Sequence, residues 1–282
     1  MPAAIAWNRY GKSRVRLVKV RRAAVPHDVI DLTIDVALEG AFETVYTAGD
    51  NQSCLPTDTM KNTVYALARR DPIDHVEAFA SRLAEHFAAK PGVSLARIDA
   101  AEHPWEPLPV AGRPHPHAFV QRGAEEWTAL VTCGAGRPTV TSGLRGLVVL
   151  KTAGSAFSGF PRDEYTTLPD TRDRILATSM TAAWQYASGF SDFSARTAVR
   201  TALVETFASH RSESVQQTLY AMGEAALAAC TGVTDIQLSL PNRHHLLVDL
   251  APFGLDNPNE IFVATEEPFG LIEARVSRTA HA

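Results

Sequence analysis

Apolar residues recur at every second position in several stretches. Between His27 and Leu38, the residues Ile30, Leu32, Ile34, Val36 and Leu38 alternate with Asp31, Thr33 and Asp35, which predicts a strand with one face in a core. Between Ala177 and Ala187, Met180, Ala182, Trp184 and Tyr186 share a face, with Thr181 and Gln185 between them. From Ser13 to Arg22, the charged residues Arg14, Arg16, Lys19, Arg21 and Arg22 are interleaved with apolar ones. That predicts a strand whose basic face is solvated, joined to the next strand as a hairpin. Asp235 to Leu240 and His245 to Leu250 alternate in the same way. Pro138 to Lys151 contains the run Leu147-Val148-Val149-Leu150, expected to be a buried strand.

A different spacing follows Pro56-Thr57-Asp58-Thr59. Met60, Val64, Leu67 and Ala68 fall on one helical face, with Thr57 as the expected N-cap and Arg69-Arg70 at the negative end. Asp71-Pro72-Ile73-Asp74 reads as the start of a second helix, carried on by Val76, Phe79, Leu83 and Phe87 and ended by Pro91-Gly92. Ser194 to Ser209 predicts a third helix, and Ser214 caps a fourth with Val215, Leu219, Met222 and Ala226. Val93 to Glu106 and Ala118 to Cys133 predict a strand pair, with the proline- and histidine-rich segment between them as a rigid loop. The order strand, strand, helix, helix, strand, strand occurs twice, as a pattern without sequence identity. Hairpin-joined strands with grouped helices indicate an antiparallel α+β fold, with residues 1–136 and 137–282 as the two expected units.

Composition narrows the function classes. The chain has 282 residues, 45% hydrophobic and 21% charged, with a net charge of -4. No long basic run suggests a nucleic-acid partner, and no apolar run approaches the roughly 20 residues that cross a bilayer. Cys54, Cys133 and Cys230 are far apart in sequence and fit free thiols in a reducing compartment. Residues Met1 to Asn8 do not read as a secretory signal, and the end, Arg278-Thr279-Ala280-His281-Ala282, is not a Ser-Lys-Leu peroxisomal signal. A cytoplasmic location is therefore expected. The pairs His115/His117 and His244/His245 raise the possibility of zinc, but no cysteine or carboxylate completes a ligand set, so no metal is expected.

The stretch from Gly146 to Tyr186 holds a long connection with Gly154, Gly159, Pro161 and Pro169, yet also Phe157, Phe160 and Tyr165. A long connection of that complexity is expected to be an ordered wall of a site. Within it, Phe157 could stack on a flat ligand or pack in the core, and Arg174 could grip a planar acceptor or pair with Asp170 or Asp173. Val215 and Gln216 open a helix whose first N–H groups favour an anion, although a first-turn glutamine is commonly a surface residue. Taken singly, Lys12, Thr57 and His244 read as a solvated strand lysine, a helix cap and a strand histidine. Asn242 follows Pro241 and by itself reads as a turn residue.

The segment from Phe157-Ser158-Gly159-Phe160-Pro161-Arg162-Asp163-Glu164-Tyr165-Thr166-Thr167-Leu168 through Asp173-Arg174-Ile175-Leu176 resembles the urate oxidase (uricase) family. Matching blocks run from Tyr10-Gly11-Lys12 to Gly270-Leu271-Ile272 in the family's order. The resemblance implies tandem tunnelling-fold units: an antiparallel sheet with helices on its outer face, closing into an oligomeric barrel around a tunnel. It implies a homotetramer with active sites at subunit interfaces, and an enzyme acting on urate and dioxygen without a cofactor. Carried over residue by residue, it implies a Lys12–Thr57–His244 proton relay and Phe157 stacking on the purine. Arg174, Val215 and Gln216 would hold the purine edge, and Asn242 would hold oxygen or water above the ring. Thr57 and Asp58 would enter from a neighbouring subunit, Asp58 through its backbone N–H. Ser158 and His245 depart from the family's common residues. The alternatives are a zinc-dependent pterin or purine hydrolase of the same fold and a non-catalytic purine-binding protein.

Overall fold

Ile30, Leu32, Ile34, Val36 and Leu38 are all buried, and the strand that carries them sits between two others. The computed structural model describes residues 3–121 and 123–278. The terminal positions Met1, Pro2 and Thr279 to Ala282, on which the expected location partly rests, lie outside the described residues. Two units are distinguished, Met1–Leu144 with Trp184–Ser194, and Arg145–Ala183 with Ala195–Ala282.

In the first unit, β1 (Tyr10–Arg21) and β2 (Asp28–Gly40) form the expected hairpin. A short helix α1 (Glu43–Thr47) precedes α2 (Thr57–Arg70) and α3 (Val76–Ala88). Then come β3 (Val93–Glu102), β4 (Glu106–Val110), β5 (Arg113–Val120) and β6 (Glu126–Cys133). β7 (Thr139–Lys151) and β8 (Leu176–Tyr186) contribute residues to both units. The second unit adds α4 (Arg196–Ser209), α5 (Val215–Ala229), β9 (Val233–Asn242), β10 (His245–Leu247), β11 (Phe262–Ala264) and β12 (Gly270–Ser277). The large sheet has the order β1-β2-β3-β6-β7-β8-β9-β12, and β4–β5 and β10–β11 are separate ribbons.

The cores follow from the alternation. In the first unit the apolar face of β2 is buried with Met60, Val64 and Leu67 of α2 and Phe79, Leu83 and Phe87 of α3. In the second, Ile236, Leu238 and Leu240 of β9 are buried with Leu219, Met222 and Ala226 of α5. Burying each large side chain is worth about 1.5–3 kcal/mol. Gly223 on α5 lets that helix approach β12: a Cβ there would lie 2.5 Å from Val276 Cγ2. Gly223→Ala is therefore expected to lower stability by about 1 kcal/mol. Overpacking typically costs roughly 1–3 kcal/mol, and the better helix propensity of alanine returns about 1 kcal/mol. A lower Tm, recovered by adding Val276→Ala, checks this.

Several expectations are corrected. The basic residues of β1 do not share one solvated face. The Lys19 Nζ instead donates to Ala68 O at 2.6 Å and Asp71 O at 2.8 Å, capping the carbonyl end of α2. Lys151 does the same for α4, donating to His210 O at 2.7 Å. Thr57 is not the N-cap: Pro56 holds that place and Thr57 is the first helical residue. The second helix starts at Val76 with His75 at its cap, while Pro72 O accepts from Arg82 and Asp74 pairs with Arg21. The segment expected as a rigid loop is mostly the β4–β5 ribbon, in which the prolines tolerate an edge. Leu147 of the apolar run is buried, but Val148 and Leu150 are about half exposed, so that run has one buried face rather than two. The strand read from His245 to Leu250 ends at Leu247.

Candidate functional site

The first unit places Lys12 through an irregularity in β1. Lys12 stands opposite Val36 and Val15 opposite Ile34, with a bulge between them. Val36 and Ile34 both face the helices, so the extra residue leaves both Lys12 and Val15 on that face; in an unbroken strand a spacing of three would divide them. Arg14 inside the bulge has φ 56°, and its N–H donates to the Asp35 carboxylate. Close approach of the strands beside Lys12 requires Gly11, since a Cβ there would meet Val36 O at 1.8 Å.

Thr57 and Asp58 open α2. The Asp58 carboxylate is turned onto its own helix, bonded to Lys61 Nζ at 2.5 Å and Asn62 Nδ2 at 2.9 Å. The Lys61 bond and charge, with smaller contributions from Asn62 and Lys12, hold that carboxyl below the usual carboxylate range. The first-turn N–H groups of a helix have no intrahelical acceptor, so this start remains attractive to an anion despite the aspartate.

The second unit orders the long connection. Phe157 N donates to Thr171 O at 2.7 Å and Thr171 N returns the bond to Phe157 O at 2.9 Å. Ala156 N reaches Ser212 O at 2.7 Å and Ser212 N reaches Gly154 O at 2.9 Å, tying the connection to the residues before α5. Arg174 N bonds to Ser155 O at 2.8 Å. The Arg174 guanidinium carbon lies 5.4 Å from the centre of the Phe157 ring. Phe160 stacks on Phe157 with centroids 4.9 Å apart.

The expected ion-pair alternative for Arg174 does not hold. Asp170 pairs with Arg162 at 3.4 Å, and Asp173 Oδ1 accepts the backbone N–H groups of Gly154 at 2.7 Å and Ser155 at 3.4 Å. Arg174 Nε is buried with no hydrogen-bond partner among the described residues, as is Ser155 Oγ. Burial pushes the guanidinium pKa down, though arginine stays charged. Unsatisfied buried groups cost about 1–3 kcal/mol each, which a polar ligand can offset.

At the start of α5, Ser214 Oγ accepts from Gln217 N at 3.1 Å, while Gln217 Oε1 accepts from Glu213 N at 2.9 Å. This reciprocal cap uses the side chain of Gln217 and leaves Gln216, exposed beside it, with no hydrogen-bond partner among the described residues. Asn242 ends β9, buried and paired with Gly270. The next residue, Arg243, donates its N–H to Ala177 O at 2.9 Å, holding this turn beside the start of β8. His244 O accepts from Thr265 N at 2.9 Å.

The chain thus brings Phe157 and Arg174 into contact and ties their loop to the segment leading into Val215 and Gln216. Lys12 lies within electrostatic reach of Asp58. No hydrogen bond among the described residues links Lys12 and Thr57. Among the described residues no group of three or more His, Cys, Asp or Glu could hold a metal ion, and no helix is long and apolar enough to cross a membrane. The residue missed from sequence is Asp173, considered only as a partner for Arg174; its bond to a backbone nineteen residues away leaves no local signal. The Ser214–Gln217 cap does have one, the S-x-x-Q pattern.

A family model described as Uricase matches residues 8–132 and 140–273. A uricase of Arthrobacter globiformis is 46% identical over 273 residues, covering 96% of this chain and 89% of the relative. One from Aspergillus flavus is 38% identical over 296 residues, covering 99% of this chain and 98% of the relative. The crystal structure of the Arthrobacter globiformis uricase superimposes with a TM-score of 0.93 at 43% identity, covering 100% of this chain and 97% of that one.

Proposed function

The chain belongs to the uricase family, and from that premise we propose that it is a urate oxidase, converting urate, dioxygen and water to 5-hydroxyisourate and hydrogen peroxide. The observation that carries this reading is the Arg174 guanidinium held against Phe157 without an ion pair, on a loop tied to the start of α5. Urate is flat, electron-rich and anionic. Phe157 supplies a face to stack on, and Arg174 a planar pair of donors for a carbonyl oxygen and its neighbouring nitrogen. The Val215 N–H and the Gln216 amide suit the remaining edge, where both a donor and an acceptor are needed.

In the proposed mechanism Lys12, Thr57 and His244 take a proton from bound urate. The resulting dianion gives electrons to dioxygen directly, with no cofactor. A peroxide forms at C5 and leaves as hydrogen peroxide, and water held by Asn242 adds in its place. The protein contributes proton transfer, orientation and a shaped site. The protein would act as a homotetramer, with Thr57 and Asp58 reaching each site from a neighbouring subunit. The zinc hydrolase and the silent purine binder draw no support from the relatives, which are uricases.

The test is loss of urate's near-ultraviolet absorbance under oxygen, with one peroxide formed per urate and no metal or flavin added. Unchanged absorbance ends the reading, and activity only after adding metal or flavin ends its cofactor-free part. Asp173→Ala frees the loop below Phe157 and is expected to raise KM for urate severalfold with a smaller effect on kcat. Asp173→Asn, which keeps an oxygen for the two backbone donors, recovers most of the loss in the same steady-state assay.

A further inference from the structure

The face of the first unit's sheet opposite the helices carries a second set of chemistry-bearing side chains. Arg16 pairs with Thr33, and Val18 with Asp31, across β1 and β2. Asp31 and Thr33 alternate with Ile30, Leu32 and Ile34, so they project away from the helices. His103 follows β3 and donates its backbone N–H to Asp31 O at 2.8 Å. Glu102 pairs with Trp127, which sets His103 beside Glu126 at the start of β6.

The His103 ring joins two of these residues. Its Nε2 is 2.8 Å from Thr33 Oγ1, and its Nδ1 is 2.8 Å from Glu126 Oε1. An ionised carboxylate can only accept, so Nδ1–H donates to Glu126, and Nε2 of the neutral ring is left to accept the Thr33 hydroxyl proton. Arg16 Nη1 donates to Thr33 Oγ1 at 2.7 Å. The other arm of Arg16 pairs with Asp31, whose second oxygen accepts from Trp105 Nε1 at 3.1 Å. One pleat along from Thr33 lies a hollow of about 260 Å³ lined by Val18, Val29, Asp31, Trp105 and Phe119. Thr33, His103 and Glu126 are all partly exposed, so a small molecule can reach them.

A hydroxyl, an imidazole within hydrogen-bond reach of it and a carboxylate orienting that imidazole are the parts of a nucleophilic acyl-transfer site. We propose that Thr33, His103 and Glu126 form a second, hydrolytic centre that cleaves small carboxylic esters whose apolar group sits against Trp105 and Phe119. Ligand pockets for drug-sized molecules start near about 300 Å³, so this hollow suits a short acyl chain. Thr33 Oγ1 bonds to the acyl carbon as its proton passes to His103 Nε2. The bond to the leaving alcohol then breaks, and His103 returns the proton to that alcohol. Water, activated by His103 in the same way, hydrolyses the acyl-threonine to a carboxylic acid and restores the hydroxyl. The Arg16 guanidinium is placed to stabilise negative charge on oxygen in both halves. This centre is independent of the urate reading and uses none of its residues.

The full-length chain is incubated with nitrophenyl butyrate, nitrophenolate release is followed, and the quenched protein is mapped for butyryl groups. Turnover above buffer with the acyl group on Thr33 is expected. His103→Gln and Thr33→Val should lower hydrolysis by about 100-fold or more, with urate oxidation unchanged as the measure of folding. Thr33→Ser should retain hydrolysis, and Trp105→Ala should raise KM for the butyrate ester more than for the acetate. Should His103→Gln fail to fold, the site of the label and the contrast between Thr33→Val and Thr33→Ser decide. Wild-type hydrolysis no faster than buffer, a label on lysine or elsewhere, or full activity in Thr33→Val overturns the proposal.

Discussion

Lys12→Met is expected to lower kcat for urate oxidation by about 100-fold or more, the scale of a lost general base, while binding of an unreactive urate analogue stays as it was. Methionine keeps the length and apolar stem of lysine and removes only the ammonium. The bulge between Lys12 and Val15 turns residue 12 onto the helix-bearing face of the sheet, where α2 begins. α2 packs against β1, so Lys12 shares that face with the helix. A group so placed can act on a proton without gripping the ligand, so kcat should change and affinity should not. Stopped-flow turnover and equilibrium titration with a xanthine-type analogue separate the two; unchanged kcat would remove Lys12 from the mechanism.

Arg174→Ala has the opposite signature. Hydrogen bonds to charged groups are worth about 1.5–3 kcal/mol, so KM for urate should rise roughly 10- to 100-fold, with analogue affinity falling in parallel. Arg174→Lys is expected to restore little, because an ammonium cannot reproduce the planar pair of donors. The loop should keep its form in both variants, since Asp173 and Thr171, not the guanidinium, hold it. Steady-state KM together with analogue affinity checks this, and an unchanged KM would argue that Arg174 faces no ligand.

Much of the fold is legible in the sequence wherever one face of a strand is buried. The alternation in β2, β8 and β9 follows from that, and the structure places these strands within a residue or two of the pattern. Legibility fails where a local pattern serves a distant partner. Lys19 looks like one more solvated base until the carbonyl end of α2 arrives to meet it. Proline marks Glu106 to Val120 as irregular, yet a two-stranded ribbon has outer edges on which a missing N–H costs nothing. At the site, residue types alone favoured core packing for Phe157 and an ion pair for Arg174. The family resemblance singled them out, and the occupied carboxylates of Asp170 and Asp173 remove the ion-pair alternative. Asp173 itself could not be read, because its acceptors are backbone groups that any residue would offer.

The bulge in β1 has a further consequence, for the open border of the sheet. β1 ends the sheet order, so one row of its amides and carbonyls lacks a strand neighbour within the described chain. A flat, uninterrupted border of that kind invites indiscriminate zipping into fibrils. Here the kink at Arg14 breaks the row, and cationic side chains flank it. A strand laid along this border would have to match both the interruption and the charge.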